Sequence, residues 1–269
     1  MIDLHTHHHR CGHAEGSLAD VAAWAIERGV QVLGVSDHAP RFTDPADHPR
    51  PLTQMARSQW AGYLREASEL RAALAGRLDL RVGVESDYLP GAEGVYRAAL
   101  ARPELDYVIG SVHEVARPAG GGAWNLFAPA SYEGADLAAV HRGYWAAVAG
   151  AARSGLFDVL GHLDLIRMLP PSPEPPAAWI EAALDAIAAS GVAVEINGSG
   201  LRRDGRPYPD LDLLEGLVRR GVPLTYGSDA HRRAQLGLGW DEARAWLDRL
   251  GVDRLVAFRG RVREEMMRS

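Results

Sequence analysis

Lysine is absent from this 269-residue sequence, and arginine supplies all 29 basic residues. With the abundant alanine and glycine, this bias suggests a GC-rich genome and says nothing about fold. Cysteine is nearly absent: Cys11 stands alone, which rules out an internal disulfide and suits a reducing cytoplasm. No apolar run approaches the ~20 residues that span a membrane. The first residues also lack the basic and apolar segments of a signal peptide. Aromatic residues make up 7% of the chain and the formal net charge is −6. A dominant nucleic-acid surface is therefore not expected. What remains is ordinary globular composition, 47% hydrophobic and 24% charged, long enough for two domains or one large α/β barrel.

What is present in excess is histidine at the amino terminus. His5, His7, His8, His9 and His13 fall within nine residues, directly after a short apolar lead. In an extended strand residues i and i+2 share a face, so His5 and His7 can offer two imidazoles to one point. Neutral imidazole is a common ligand for Zn, Fe or Mn. A tag or a solvated metal-sticky tract fits poorly, because these histidines are interrupted, follow a strand start and precede a capped helix.

Strand and helix patterns alternate along the rest of the chain. Ser17 with Asp20 marks an N-cap for a helix that ends near Gly29. A second strand at 30–35 runs into Ser36-Asp37-His38, and a long helix is expected over 53–74. The third strand, 78–84, ends at Glu85, a helix follows over 95–100, and the fourth strand, 107–109, leads to His113. Residues 117–130 form a long Gly/Pro-rich loop carrying Trp124 and Phe127, and 137–153 is helical. The fifth strand, 157–160, ends at His162. The proline run 170–176 reads as a stiff extended loop, with a helix over 177–189. The sixth strand, 192–196, ends at Asn197, and a helix over 211–220 precedes the seventh, 222–226, which ends at Asp229 and His231. A last helix near 242–250 leaves a tail without a clear assignment. Near-continuous apolar strands alternating with helices mean a parallel sheet covered on both faces. One domain over 1–269 is expected, either a seven-unit barrel or an open doubly wound sheet. In both, function sits at the carboxyl ends of the strands.

Those ends carry His5, His7, His38, Glu85, His113, His162, Asp229 and His231, with His13 just beyond the first. Seven of the eleven histidines are thus concentrated at one face. Chance placement would scatter them over helices and loops, so the joint pattern indicates a metal site.

Taken in order, His5-x-His7, Ser36-Asp37-His38, Val84-Glu85, Ser111-Val112-His113, Gly161-His162 and Ser228-Asp229-Ala230-His231 resemble the motifs of the polymerase-and-histidinol-phosphatase (PHP) superfamily. The stretches 11–17 and 197–202 resemble its histidinol-phosphate phosphatase branch. The resemblance runs from residue 1 to about 240. It implies an α/β fold of distorted (β/α)7 barrel type and three divalent metal ions (Zn, Fe or Mn). His5, His7, Glu85 and Asp229 are implied to hold one ion; Glu85, bridging, with His113 and His162 a second; His13, His38 and His231 a third. Three such ions, two ligand carboxylates and a hydroxide leave about +3, an attractive well for a phosphate dianion.

The implied reaction is hydrolysis of a phosphate monoester, L-histidinol phosphate, in the cytoplasm, by attack of a metal-bridging hydroxide on phosphorus. Glu85, Asp229 and His231 are the candidate catalytic residues; the donor of the proton to the leaving oxygen is open between His231, Asp229 and a metal-bound water. Arg167 and Arg202 are candidate phosphate ligands, since the guanidinium fork matches phosphate oxygens, with Arg203 a lesser candidate. Asn197, Trp124 and Phe127 are candidate substrate or lid residues, with a hydrophobic latch as the alternative for the loop aromatics. Asp37, Asp87 and Asp164 adjoin ligand positions and can orient imidazoles. His8 and His9 read as loop or supporting residues, Cys11 as packing, His48 and His141 as surface. Hydrolysis of nucleotides or oligonucleotide ends, a polymerase-docking module without catalysis and an amidohydrolase are the rival functions. No nucleic-acid or membrane partner is expected.

Overall fold

The protein is described here by a computed structural model covering residues 1–47, 53–170 and 176–268. In chain order the main elements are β1 (Ile2–Asp3), α1 (Leu18–Glu27), β2 (Val32–Val35), α2 (Arg57–Ala73), β3 (Asp79–Val82), β4 (Glu85–Asp87) and α3 (Glu93–Leu100). Then come β5 (Ile109–Ser111), β6 (Glu114–Ala116), β7 (Ala123–Asn125), α4 (Leu137–Arg153), β8 (Val159–Leu160), α5 (Ala177–Ser190) and β9 (Ala193–Asn197). The chain continues with α6 (Leu211–Arg219), β10 (Leu224–Gly227), α7 (Trp240–Leu250), β11 (Arg254–Arg259) and β12 (Val262–Met267). Among the described residues no helix is long and apolar enough to cross a membrane.

The fold is α/β. β1, β2 and β3 form one parallel sheet, and β10, β9, β8, β5 and β4 form another in that order. Beyond the regular ladders, Leu4 N–H donates to Tyr226 O at 2.9 Å and Thr6 bridges to Ala230, setting the extension of β1 beside β10. His38 bridges to Glu85 in the same way, setting the extension of β2 beside β4. The strands are buried on both sides, as the Val-, Leu- and Ile-rich runs require. Two buried tyrosines satisfy their hydroxyls inside this core: Tyr107 donates to Leu4 O at 2.5 Å and Tyr63 to Gly83 O at 2.6 Å. Helix α1 starts where its capping box predicts, with Asp20 N–H donating to Ser17 Oγ at 3.2 Å and Ser17 N–H to Asp20 Oδ2 at 2.8 Å.

The structure departs from the sequence reading in four places. The third strand is broken at Gly83 and Val84 into β3 and β4, each serving a different sheet. Helix α2 begins at Arg57 rather than 53, because Met55 N–H is drawn to His38 O and Ala56 N–H is taken by Gln59 Oε1. The loop over 117–130 contains β7, paired antiparallel with β6 so that Val115 faces Trp124. The tail forms the β11–β12 hairpin through Gly260 and Arg261, both left-handed, as a two-residue hairpin turn demands. Buried Arg81 clasps that hairpin to β3, donating to Phe258 O and Glu264 Oε2, each at 2.7 Å. Most of the proline run and His48 lie outside the described residues.

Candidate metal centre

Buried Asp3 ties the end of β1 to the end of β10, accepting N–H groups from Ser228 at 2.9 Å and Gly237 at 3.1 Å. The extended chain beyond it carries His5 and His7 on one face, with ring centroids 5.1 Å apart. Each ring is held at Nδ1 by a buried carboxylate: His5 by Glu195 at 2.8 Å, His7 by Asp37 at 3.2 Å. His113 repeats the device, with Asp87 Oδ1 2.7 Å from its Nδ1. A carboxylate on one ring nitrogen fixes the tautomer and leaves the other nitrogen to ligate.

The second nitrogens converge. His7 Nε2 lies 3.1 Å from Asp229 Oδ1, and His5 Nε2 lies 3.5 Å from Glu85 Oε2. Glu85, at the start of β4, is the hub. Its Oε1 accepts from Ser111 Oγ at 2.5 Å and lies 3.0 Å from His162 Nε2, and its Oε2 lies 2.7 Å from His38 Nδ1. His113 Nε2 and His162 Nε2 are 3.2 Å apart. Among the described residues four sets of side chains bring their ligand atoms within 4.8 Å of one another: His5, His7 and Asp229; Glu85, His113 and His162; His7, His38 and His231; and His7, Cys11 and Asp37. His13 joins through His231, the two Nε2 atoms being 2.9 Å apart.

These donors fit divalent ions. His5 Nε2, His7 Nε2 and Glu85 Oε2 are buried and close together, yet among the described residues none of them has a hydrogen-bond partner of acceptable geometry. Leaving such atoms unsatisfied costs free energy unless a cation completes them. Electrostatics agree. Burial alone would depress His5, but Glu195, Glu85 and Asp229 outweigh it and hold the imidazole well above its usual range. Burial would raise Glu85 and Asp229, and the surrounding imidazoles instead hold both well below the carboxylate range. The field in this pocket favours positive charge, whether a proton or a metal ion carries it.

The cluster opens into a cavity of about 550 Å³. His13, His38, Glu85, His113, Asp229 and His231 are among the residues at its wall, and Arg41, Arg202, Arg203 and Arg232 also line it. Among the described residues Arg202 makes only long hydrogen bonds, 3.4 Å, to the carbonyl of Asp229, which leaves its fork available for an anion. Phe127 lines the cavity 47% exposed, edge-on to His113 at 5.4 Å, with Arg203 5.2 Å above its ring.

Several expected residues sit elsewhere. Arg167 does not line the cavity; it lies 3.4–3.7 Å from Asp164, Asp204 and Asp210, donates to Pro207 O, and packs on Tyr208. Asn197 is fully buried, donating to Glu195 Oε1 at 2.6 Å and accepting Ser199 N–H at 2.9 Å. Trp124 is buried opposite Val115, so it latches the hairpin rather than facing the cavity. Among the described residues Asp164 orients no imidazole: it accepts Asp210 N–H at 2.9 Å. Cys11 packs in the interior, beside His7 and Asp37. His8 is buried too, its Nδ1 3.2 Å from Asp37 Oδ2, and burial pushes it down to about 4. Glu195 escaped the sequence reading. Its signal was a lone acid inside the apolar strand 192–196, where a charge needs a buried partner.

A parallel α/β fold with histidines and carboxylates gathered at its strand ends defines a class of metal-site proteins. The chain belongs to the PHP domain family, whose pattern matches residues 3–199. It is 38% identical over 268 residues to a Deinococcus radiodurans protein named "Probable histidinol-phosphatase", covering 97% of each chain. It is 28% identical over 268 residues to the histidinol-phosphatase of Bacillus subtilis, covering 92% of this chain and 98% of that one. Its fold resembles the crystal structure of histidinol phosphate phosphatase from Lactococcus lactis subsp. lactis, complexed with Zn, L-histidinol and phosphate. The TM-score is 0.77 at 20% identity, over 98% of each chain.

Proposed function

We propose that this protein is a metal-dependent phosphatase hydrolysing L-histidinol phosphate to L-histidinol and phosphate, a step of histidine biosynthesis. The observation that carries the reading is the set of buried, unsatisfied ligand atoms beneath an arginine-lined cavity. The names of the relatives supply the substrate. The whole chain, 1–269, is read as one distorted (β/α)7 barrel. The contacts from Leu4 to Tyr226 and Thr6 to Ala230, which set β1 beside β10, and from His38 to Glu85, which set the extension of β2 beside β4, support that reading.

His5, His7 and Asp229, with Glu85 beside them, would hold one divalent ion. Glu85, His113 and His162 would hold a second, and His13, His38 and His231 a third. Zinc, iron or manganese suits such mixed imidazole and carboxylate sets. When bound, these ions supply Lewis acidity toward the phosphoryl oxygens and a water acidified enough to attack phosphorus near neutral pH. The chain's own groups do the rest. Arg202 grips phosphate oxygens with its fork, and Arg203 adds charge from the same wall. Arg167 acts one layer behind them, fixing the carboxylates of the loop that carries both. Asp229 and His231 border the cavity and are the protein groups able to pass a proton to the leaving oxygen. Phe127 offers its exposed ring to the imidazole of the substrate. Metal-replete protein incubated with L-histidinol phosphate is expected to release L-histidinol and phosphate in equal amounts. No release with zinc, iron or manganese would reject the reading.

A further inference from the structure

We propose that Glu195 is the positioning residue that couples two parts of the metal centre, fixing the His5 ring with Nε2 free to ligate and pinning the backbone of His162. The inference rests on the metal-centre reading above. Glu195 stands in the middle of β9, 1% exposed. Its Oε2 lies 2.8 Å and its Oε1 3.0 Å from His5 Nδ1, and Oε1 also accepts His162 N–H at 2.8 Å and Asn197 Nδ2–H at 2.6 Å. His5 belongs to the set with His7 and Asp229; His162 belongs to the set with Glu85 and His113. One carboxylate therefore touches a member of each.

Two further observations point the same way. His162 has a backbone φ of +24°, a conformation that non-glycine residues seldom adopt without a compensating contact. The Glu195 carboxylate supplies that contact. The neighbouring strand ends are also shaped around the carboxylate. A Cβ at Gly227 would stand 2.6 Å from Glu195 Oε2 and 2.4 Å from the Cβ of His5. A Cβ at Gly161 would stand 3.3 Å from Glu195 Oε1 and 2.9 Å from Ser111 Oγ. Neither glycine has a left-handed φ, so space rather than backbone freedom requires glycine there. Among the described residues His5 is the only ion-pair partner of Glu195. A buried carboxylate without an arginine is costly to keep, and its position relative to the two ligand sets accounts for it.

Glu195→Gln tests the inference because it keeps the shape and changes the polarity of one atom. His162 N–H and the Asn197 amide are obligatory donors, so the new amide oxygen takes the Oε1 position. The amide NH2 then faces His5 Nδ1 at the shorter of its two contacts, which favours Nδ1 as an acceptor and shifts the ring proton toward Nε2. Zinc affinity measured by titration calorimetry is expected to weaken about 10–100-fold. Imidazole 15N spectra should lose the zinc-bound Nε2 signature of His5, while far-UV circular dichroism stays that of the wild type. A variant that binds zinc as tightly as wild type and keeps that signature overturns the inference. Should the variant not fold, the zinc-loaded wild type still decides: His5 must bind zinc through Nε2 with a proton on Nδ1, and the opposite pattern overturns the role of Glu195. A wild-type chain that binds no zinc at all instead removes the metal-centre reading beneath it.

Discussion

The Nε2 atoms of His13 and His231 lie 2.9 Å apart, while each ring's Nδ1 faces a backbone carbonyl, Cys11 O at 3.2 Å and Asp229 O at 3.0 Å. A carbonyl only accepts, so in each neutral ring the proton sits on Nδ1 and two lone pairs confront each other. Burial depresses both imidazoles, His231 to about 2, so neither relieves the contact by taking a proton near neutral pH. A divalent cation would relieve it. Metal-free protein is therefore expected to melt lower than metal-replete protein. Binding at a hundredfold excess over Kd contributes about 2.7 kcal/mol, roughly 5–10 °C in a chain of this size. Differential scanning fluorimetry with chelator and added zinc reads the shift, and equal melting temperatures would contradict it.

The set formed by Glu85, His113 and His162 leans on Asp87, whose carboxylate holds His113 Nδ1 at 2.7 Å and also accepts from Gln54 at 2.6 Å. Burial would lower the His113 imidazole, yet Glu85 and Asp87 raise it to about 9. Asp87→Asn weakens that hold without removing a ligand, so kcat/KM for phosphate release should fall about 10–100-fold. His113→Ala removes the ligand itself and should cost more than Asp87→Asn. The reverse order in steady-state kinetics would place His113 outside the metal set.

Arg202 and Arg167 differ in their surroundings, and their variants should differ accordingly. Arg202→Ala removes a charge whose hydrogen bonds among the described residues are long. The loss of a charge-assisted bond to phosphate, about 1.5–3 kcal/mol, should lower kcat/KM roughly 10–150-fold at nearly unchanged melting temperature. Arg167→Met strips a partly buried cation from Asp164, which burial already raises to about 6. That variant should lose several degrees of melting temperature, whatever its turnover. An Arg202→Ala enzyme with wild-type kinetics would remove this arginine from the phosphate site.

The face of the site was legible because ligand histidines and carboxylates sit at the carboxyl ends of apolar strands, where the period and the flanking Gly and Ser mark them. Less was legible where a residue's role depends on its neighbours in space. Glu195 reads as one polar interruption of a core strand until His5 and His162 are brought to it from far along the chain. Arg167 and Arg202 each stand five residues after a polar residue that follows an apolar strand, His162 and Asn197, yet only Arg202 faces the cavity, because Asp164, Asp204 and Asp210 surround the other. Trp124 and Phe127 lie three residues apart, and the pairing of β6 with β7 turns one inward and leaves the other on the cavity. The tail hairpin did leave a signal, a Gly-Arg pair between two six-residue strands.

Phe127 presents its edge to His113 at 5.4 Å and lies under Arg203 at the cavity wall. If its ring meets the substrate's imidazole, an aromatic contact worth about 0.5–1.5 kcal/mol is at stake. Phe127→Ala should then raise KM for L-histidinol phosphate roughly two- to tenfold. Hydrolysis of a small alkyl phosphate lacking a ring should change little. Equal losses on both substrates would assign Phe127 to support of His113 instead.

The most direct test of the account compares kcat/KM for L-histidinol phosphate with that for a nucleoside monophosphate, a sugar phosphate and a phosphodiester. Each is measured with added divalent metal and again after chelation. The account predicts that L-histidinol phosphate is preferred by at least about tenfold, the scale of one well-made contact, and that chelation abolishes all turnover. Undiminished activity in the chelated enzyme, or a preference for the nucleotide or the diester, would contradict it.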